Sequence, residues 1–336
     1  MFILRSLVAN DHSSLFELAM KAHSGVTSLP KDRNLLKKKA ISSEKSFLNP
    51  FEKNKEHIFL FILEDLEEKK PVGVSGIYTK SGKSRFPFLY RLEKIFPSSD
   101  PLLKAPSYSL LKAFKYEEEV TEIGSLFLEK TSRKEGLGKL LSLGRFLYMA
   151  DNLEKFDKKT VASLRGIFTE QDECPFFDGI TKKLIGLSYE EAVSLVYTRR
   201  EYLEKILSPY PIIVDLLPEL IQKSTLGIHP NTIPAKIMLT KQGFDLNNLL
   251  DPLDGGPFIE AKTSQIDVLK SSFLTKATSS PESKASLGLI SKQNPFKALI
   301  AEYSIDGQKA SLEEKVMKAL EITHDDIIRV YPLKKK

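Results

Sequence analysis

Tryptophan is absent from the 336 residues, and cysteine occurs once, as Cys174. A single thiol excludes a disulfide framework and any multi-cysteine zinc or iron–sulfur site. Long apolar runs are missing too. No window approaches the roughly 18–20 uncharged residues that a spanning helix needs. Met1-Phe-Ile-Leu-Arg5 is too short for a signal peptide, and Asp11, His12 and Glu17 break up the next stretch of chain. Nor does one sign of charge dominate. Fifty lysines and arginines face 44 aspartates and glutamates, leaving a formal charge of +6 with the two signs interspersed. That lacks the dense basic stripe of a nucleic-acid binder but suits a small anionic ligand. The expectation is a cytoplasmic protein of a reducing compartment, engaging neither nucleic acid nor membrane. Lys334-Lys335-Lys336 reads as a solvated tail.

What is present is ordinary globular composition, 41% hydrophobic and 28% charged. The length leaves room for more than one packed unit, since single cores rarely grow past ~250–300 residues. Strand and helix alternate from the start. Phe2–Arg5 predicts a strand, Asp11 can cap a helix through Leu15, Leu18, Ala19 and Ala22, and a lysine-rich helix follows over Asp32–Ala40. Ile58–Leu63 is continuously apolar, hence a strand buried on both faces, and Val72–Tyr78 pairs back on it. Lys80–Ala113, with Pro87, Pro97, Pro101 and Pro106, reads as a long irregular insertion that covers a site. Ile123–Leu128 is a strand whose Gly124 points to a bulge or a close backbone approach, and Leu137–Tyr148 carries apolar residues at helical spacing. Thr160–Arg165 is the next strand; helices follow near Phe176–Leu184 and Glu190–Ile206, then a strand over Pro211–Pro218. The composition of Thr275–Lys284 is that of a linker.

Between Leu128 and the helix lies Arg133-Lys134-Glu135-Gly136-Leu137-Gly138. Here backbone N–H groups can converge at a helix start. Two positions lack a Cβ that would block a phosphate, and the helix dipole favours negative charge. Arg133, Lys134 and Lys139 add cations. The set lacks the first glycine of the dinucleotide fingerprint, and a plain tight turn is the competing explanation. His229 lies in Gly227-Ile-His-Pro230, a turn ahead of a helix beginning Thr232-Ile-Pro-Ala. Imidazole suits proton transfer near neutrality, although a loop histidine also commonly just bonds backbone. Asp254-Gly-Gly-Pro257 is either a turn or a carboxylate facing a cationic substrate, and Glu117-Glu-Glu119 either a solvated run or an attractor for a guanidinium. Cys174 is a conceivable nucleophile, but a lone cysteine is more often a small buried hydrophobe. No metal site is expected.

In its strand–turn–helix context the glycine loop resembles the pyrophosphate loop of the GNAT acyl-CoA-dependent acyltransferases. The resemblance sharpens when further blocks are taken in order: Gly25-Val-Thr-Ser-Leu-Pro30, Leu126-Phe-Leu128, Arg145-Phe-Leu-Tyr-Met-Ala150, Arg165-Gly166, His229-Pro-Asn-Thr-Ile-Pro-Ala235, Gly243-Phe244 and Asp254-Gly-Gly-Pro257. Together they look like the arginine N-succinyltransferase family, over essentially the whole chain. The lysine-rich Lys80–Lys115 stretch departs from that family's pattern.

The resemblance implies an α/β (α+β) GNAT-like core with a mixed, partly splayed sheet, a second GNAT-like half and a small C-terminal β-rich module. The corresponding spans are 1–190, 191–274, a linker at 275–286, and 287–336. It implies transfer of succinyl from succinyl-CoA, a co-substrate rather than a prosthetic group, to the α-amine of arginine or ornithine. The family's succinyl-CoA contact matches Leu126, and its proton-donor histidine matches His229. Chemistry supplies the rest: the backbone of Leu126, Phe127 and Leu128 for the thioester carbonyl, and Arg133, Lys134, Gly136, Gly138 and Lys139 for the phosphates. Direct attack in a ternary complex is expected. The divergent stretch keeps two alternatives open, another amine acceptor or a non-catalytic CoA-binding protein, and a homo- or hetero-oligomer is compatible with either.

Overall fold

The computed structural model describes residues 1–22, 28–49, 52, 55–96, 107–133, 136–199, 202, 204–205, 207–279 and 285–333. Its first strand, β1 (Phe2–Ser6), leads into α1 (His12–Lys21) and α2 (Arg33–Leu48). Asp32 caps α2 by accepting the Leu35 N–H at 2.9 Å, and the helix runs eight residues past its expected end at Ala40. Strands β2 (Ile58–Asp65) and β3 (Lys70–Tyr78) follow as an antiparallel pair. The continuous apolar run of β2 is explained by helices on both faces. Phe59, Phe61 and Leu63 pack with the later helix Leu137–Asp151, while Leu60 and Ile62 pack with Leu15, Leu18, Leu36 and Ala40 of α1 and α2.

The stretch expected to be an irregular cover is built otherwise. After a short helix α3 (Ser81–Arg85) come β4 (Phe88–Ile95) and β5 (Tyr108–Lys115), an antiparallel hairpin registered from Phe88↔Lys115 to Ile95↔Tyr108. Pro87 stands before the first strand; Pro97, Pro101 and Pro106 fall in the connection, outside the described residues. Leu89, Tyr90 and Leu111 are buried, but Lys94, Lys112 and Lys115 interrupt the alternation that would have marked two strands. β6 (Thr121–Leu128), α4 (Leu137–Asp151) and β7 (Lys159–Ser163) come next, as expected.

A π-helical turn at Phe177–Thr181 then runs into α5 (Lys182–Ile185). Helix α6 (Tyr189–Thr198) is opened by a reciprocal cap between Ser188 and Glu191, and it stops short of the expected Ile206. Of the strand expected over Pro211–Pro218 only β8 (Ile212–Ile213) forms. The chain then coils into a single turn at Val214–Leu216, because the Asp215 carboxylate leaves the strand to accept the Ser109 N–H at 2.6 Å. After α7 (Glu219–Ser224) and α8 (Ile233–Thr240) come β9 (Asp245–Leu250), β10 (Pro257–Lys262) and α9 (Asp267–Ser271).

Residues expected to open a linker instead form β11 (Phe273–Ser279), followed by β12 (Ser286–Lys292), β13 (Lys297–Asp306), β14 (Lys309–Leu312), α10 (Glu314–Leu320) and β15 (Ile327–Pro332). Here β12–β15–β11–β14–β13 pair in succession and β13 pairs back on β12, so the five strands close into a barrel. The serines and threonines of β11 mislead because its staves are short and mostly outward-facing; Ala277 alone in the strand is fully buried.

Through β1↔β13 the barrel joins one sheet, continuing β1-β2-β3-β6-β7-β10-β9-β4-β5-β8. The strands beyond β7 come from two stretches of sequence, β4 and β5 before it and β8 to β10 after it. The expected mixed sheet is therefore present, and its two sides interleave along the chain. No helix among the described residues is long and apolar enough to cross a membrane.

Candidate active site

Two features open the sheet at its middle. Strands β6 and β7 are parallel and pair only at Thr121↔Thr160 and Glu122↔Val161, after which they diverge. On its other side β6 bulges. Its register with β3 jumps from Gly76↔Gly124 to Val74↔Phe127, so Ser125 and Leu126 both stand opposite Ser75. Ser125 sits at φ 51°, held there by its N–H to Ser28 Oγ at 2.9 Å and by a short hydroxyl contact with Tyr78. A bulge leaves ladder groups unpaired and re-aims the strand. The result is a cavity of about 210 Å³, walled by Ile123–Leu126 on one side and Ala162–Arg165 on the other.

Of the residues expected to hold the thioester, Leu126 lines this cavity, Phe127 is buried beneath it, and Leu128 continues the strand. The expected phosphate loop lies at the end of β6. Gly136 precedes α4 with φ 90°, a conformation glycine adopts freely. It offers no side-chain cap, so the first amides of α4 have no such partner. A Cβ at Gly138 would meet nothing within 4 Å. Arg133 is exposed, its Nε donating to the Leu128 carbonyl at 3.4 Å, and Lys139 is half-buried one position after Gly138. Lys134 lies outside the described residues.

The cavity floor is Arg145, 1% exposed, on α4. Its Nε donates to Ser142 O at 3.0 Å, and its Nη1 to Gly76 O at 3.1 Å and Gly124 O at 3.2 Å. Among the described residues no carboxylate is paired with it, and burial lowers its pKa to about 9. Its role in the site was not anticipated from sequence. The available signal was a lone cation in the apolar helix Leu140–Met149.

The β7 side carries the opposite sign. Asp254 is fully enclosed, with Oδ2 accepting the Gly166 N–H at 2.9 Å and Oδ1 the Gly256 N–H at 2.8 Å. Both glycines are required by close approach: a Cβ on Gly166 would lie 2.0 Å from the Asp254 carbonyl oxygen, and one on Gly256 2.0 Å from that of Leu164. The Asp-Gly-Gly stretch is a turn, and it places the Asp254 carboxylate in the lining of the cavity. Asp251 lines it too, its Oδ1 accepting the Leu253 N–H at 2.8 Å. Burial, and then each other's proximity, pushes the Asp254 carboxyl up to about 7; Asp251 is raised by burial as well. Glu122, paired with Arg85, completes the acidic cluster. Arg165 balances it. Its Nη2 lies 3.5 Å from Asp172, and its Nε, like the Tyr189 hydroxyl, is a buried atom with no hydrogen-bond partner among the described residues.

His229 is tied to the same wall. Its N–H donates to the Arg165 carbonyl at 3.0 Å, and Asn231 and Thr232, just beyond it, line the cavity. The Asn231 N–H donates to Nδ1 at 3.1 Å, which places the proton of the neutral ring on Nε2. Cys174, by contrast, is sealed in a second core with its Sγ toward the carbonyls of Leu253 and Asp254, and burial raises its thiol to about 12. So little thiolate at neutral pH makes it a poor nucleophile. The Glu117–Glu119 run stays on the surface, Glu118 pairing with Lys159. No cluster of metal-ligating side chains occurs among the described residues.

A splayed parallel pair, a bulged strand and a glycine-started helix define an acyltransferase of the GNAT type, a class that takes acyl-CoA as co-substrate. The family described as "Arginine N-succinyltransferase beta subunit" matches residues 2–268, and the chain belongs to the arginine N-succinyltransferase family. It is 28% identical to an arginine N-succinyltransferase of Citrobacter koseri over 99% of this chain and 98% of that one. It is 30% identical to one from Shigella dysenteriae over 82% and 80%. The structure of arginine/ornithine succinyltransferase subunit AI from Pseudomonas aeruginosa superimposes with a TM-score of 0.87 at 27% identity, covering 100% of this chain and 99% of that one.

Proposed function

We propose that the protein transfers the succinyl group of succinyl-CoA to the α-amine of arginine or the shorter ornithine, both substrates meeting in the cavity between β6 and β7. The observation that carries this reading is the charge arrangement of that cavity. Two arginines and a buried carboxylate cluster face substrates that bring two carboxylates and one terminal cation. The acceptor's guanidinium or ammonium is assigned to Asp251 and Asp254, since cations favour carboxylate partners in desolvated sites.

The pantetheine lies along β6, with the thioester carbonyl at the Ser125–Leu126 bulge. The pyrophosphate meets the amides at Gly136–Gly138 with Arg133 and Lys139 near it. The neutral α-amine attacks the thioester carbon. A C–N bond forms, the carbonyl electron pair moves onto oxygen, and backbone N–H groups near Leu126–Phe127 stabilise that oxyanion. Collapse breaks the C–S bond. The proton lost by the amine nitrogen passes through the His229 imidazole to the CoA thiolate, so that a C–N and an S–H bond replace a C–S and an N–H bond.

Release of free CoA thiol, measured on mixing with succinyl-CoA and a panel of amines, tests the reading. Turnover with arginine or ornithine is expected. Turnover with a polyamine alone would replace the acceptor, and CoA binding without turnover on any amine would replace the enzyme by a binding protein. The phosphate assignment has its own probe in Gly138→Val. The side chain enters open space in the free protein, and the helix-propensity cost is below about 1 kcal/mol. Folding should therefore be unaffected while the Kd for CoA rises at least about tenfold through loss of the close phosphate contact. Unchanged CoA binding by calorimetry would remove the loop from the site.

A further inference from the structure

Resting on that reading of the cavity, we infer that Arg145 is the residue that recognises the distal carboxylate of the acyl group, and so selects a dicarboxylic acyl-CoA over a neutral one. Three observations meet in this residue. It is a buried guanidinium lining the cavity, yet among the described residues no carboxylate pairs with it. Keeping an uncompensated charge away from water is costly, and such groups are ordinarily paired. Its hydrogen bonds use Nε and Nη1 only. Nη2 donates to nothing among the described residues, and it is not one of the sealed atoms without a partner. Nε and Nη1 are thus anchored on three backbone carbonyls while Nη2 remains for a ligand.

The position fits the length of the acyl chain. Nη1 is bonded to Gly124 O, and Gly124 immediately precedes the Ser125–Leu126 bulge. From the thioester carbon to the far carboxylate a succinyl chain spans about 4–5 Å, given C–C bonds of about 1.5 Å. A thioester seated at the bulge therefore brings its distal carboxylate within reach of Arg145. The burial-lowered pKa of the free guanidinium leaves it charged at neutral pH, and a bound carboxylate supplies the counter-charge the protein omits. Arg165, the cavity's other arginine, is suited to a different task. It already has Asp172 and Asp254 as neighbours, so an added carboxylate gains less there.

The test is equilibrium binding of succinyl-CoA, butyryl-CoA and CoA to the whole protein without any amine, so that it does not depend on turnover. Butyryl-CoA has the same chain length and no distal charge. The wild type should hold succinyl-CoA about 10- to 100-fold tighter than butyryl-CoA, the range of one charge-assisted hydrogen-bond pair. Arg145→Gln should abolish that ratio and leave butyryl-CoA and CoA within about threefold of wild type, and Arg145→Lys should restore part of it. A purely structural clamp would weaken all three ligands together. Equal binding of succinyl-CoA and butyryl-CoA by the wild type overturns the inference whatever becomes of Arg145→Gln. So does a ratio that survives in Arg145→Lys but disappears in Arg165→Lys. Absence of acyl transfer to arginine, in contrast, counts against the proposed function and leaves the binding ratios to decide the role of Arg145.

Discussion

Replacing His229 by alanine should lower kcat by ~10²–10⁴, the usual contribution of a positioned acid or base, while leaving the Kd for CoA nearly unchanged. The split follows from the geometry. The imidazole is carried by the segment that packs on the Arg165 carbonyl and leads into Asn231 and Thr232, far along the chain from the glycine loop to which the phosphates are assigned. The Asn231 N–H donates to Nδ1, so the proton exchange proposed for the reaction is assigned to Nε2. A pre-steady-state burst comparison with wild type would show the loss in the chemical step. Turnover within a fewfold of wild type would dismiss His229 from the reaction.

The second large effect concerns the acceptor. The Asp254 carboxyl is raised to about 7 by burial and by Asp251. Since the unfolded pKa is near 3.9, the folded protein holds an extra proton between these values. This pair therefore costs stability as pH rises through that window. A bound cation reverses the preference, stabilising the ionised form. Arginine binding below about pH 7 should thus release about one proton, and its affinity should rise with pH until the pair is ionised. Calorimetry in two buffers of different ionisation enthalpy reads the proton directly. Asp254→Asn should abolish the release and raise the KM for arginine about 30-fold or more, the range for truncating a buried charged partner, with CoA binding as the control. A heat independent of buffer, or an arginine KM within threefold of wild type, would move the acceptor cation elsewhere.

The bulge and the helix start to which CoA is assigned were readable from residues because both are local features. A glycine inside a strand announced the bulge at Ser125–Leu126, and a basic Gly-x-Gly turn announced the start of α4. On the side assigned to the acceptor, the glycine turn marked Asp254 as a candidate, but Asp251 and the cavity itself were not legible, because they are assembled by pairing across the sheet. Asp251 and Asp254 reach the cavity only since β10 pairs with β7 and the glycine turn docks on Leu164–Gly166. The β4–β5 hairpin, on whose β4 strand β9 also pairs, was hidden because Lys94, Lys112 and Lys115 interrupt its strands and prolines crowd the sequence between them. Arg145 escaped for a related reason: in a sequence with fifty cations, burial is what distinguishes one of them.

The five-stranded barrel has a bearing on how copies of this protein can associate. By pairing with β13, β1 loses the free edge it would otherwise present, and the barrel has no ends of its own. The remaining boundary is β5, screened at Leu110 and Leu111 by the two-residue β8 and at Ser109 by Asp215. Beyond that cover it displays Lys112 and Lys115, charges that discourage a neighbouring strand from adding on. Growth of the sheet from one molecule to the next is thereby disfavoured at the described edges.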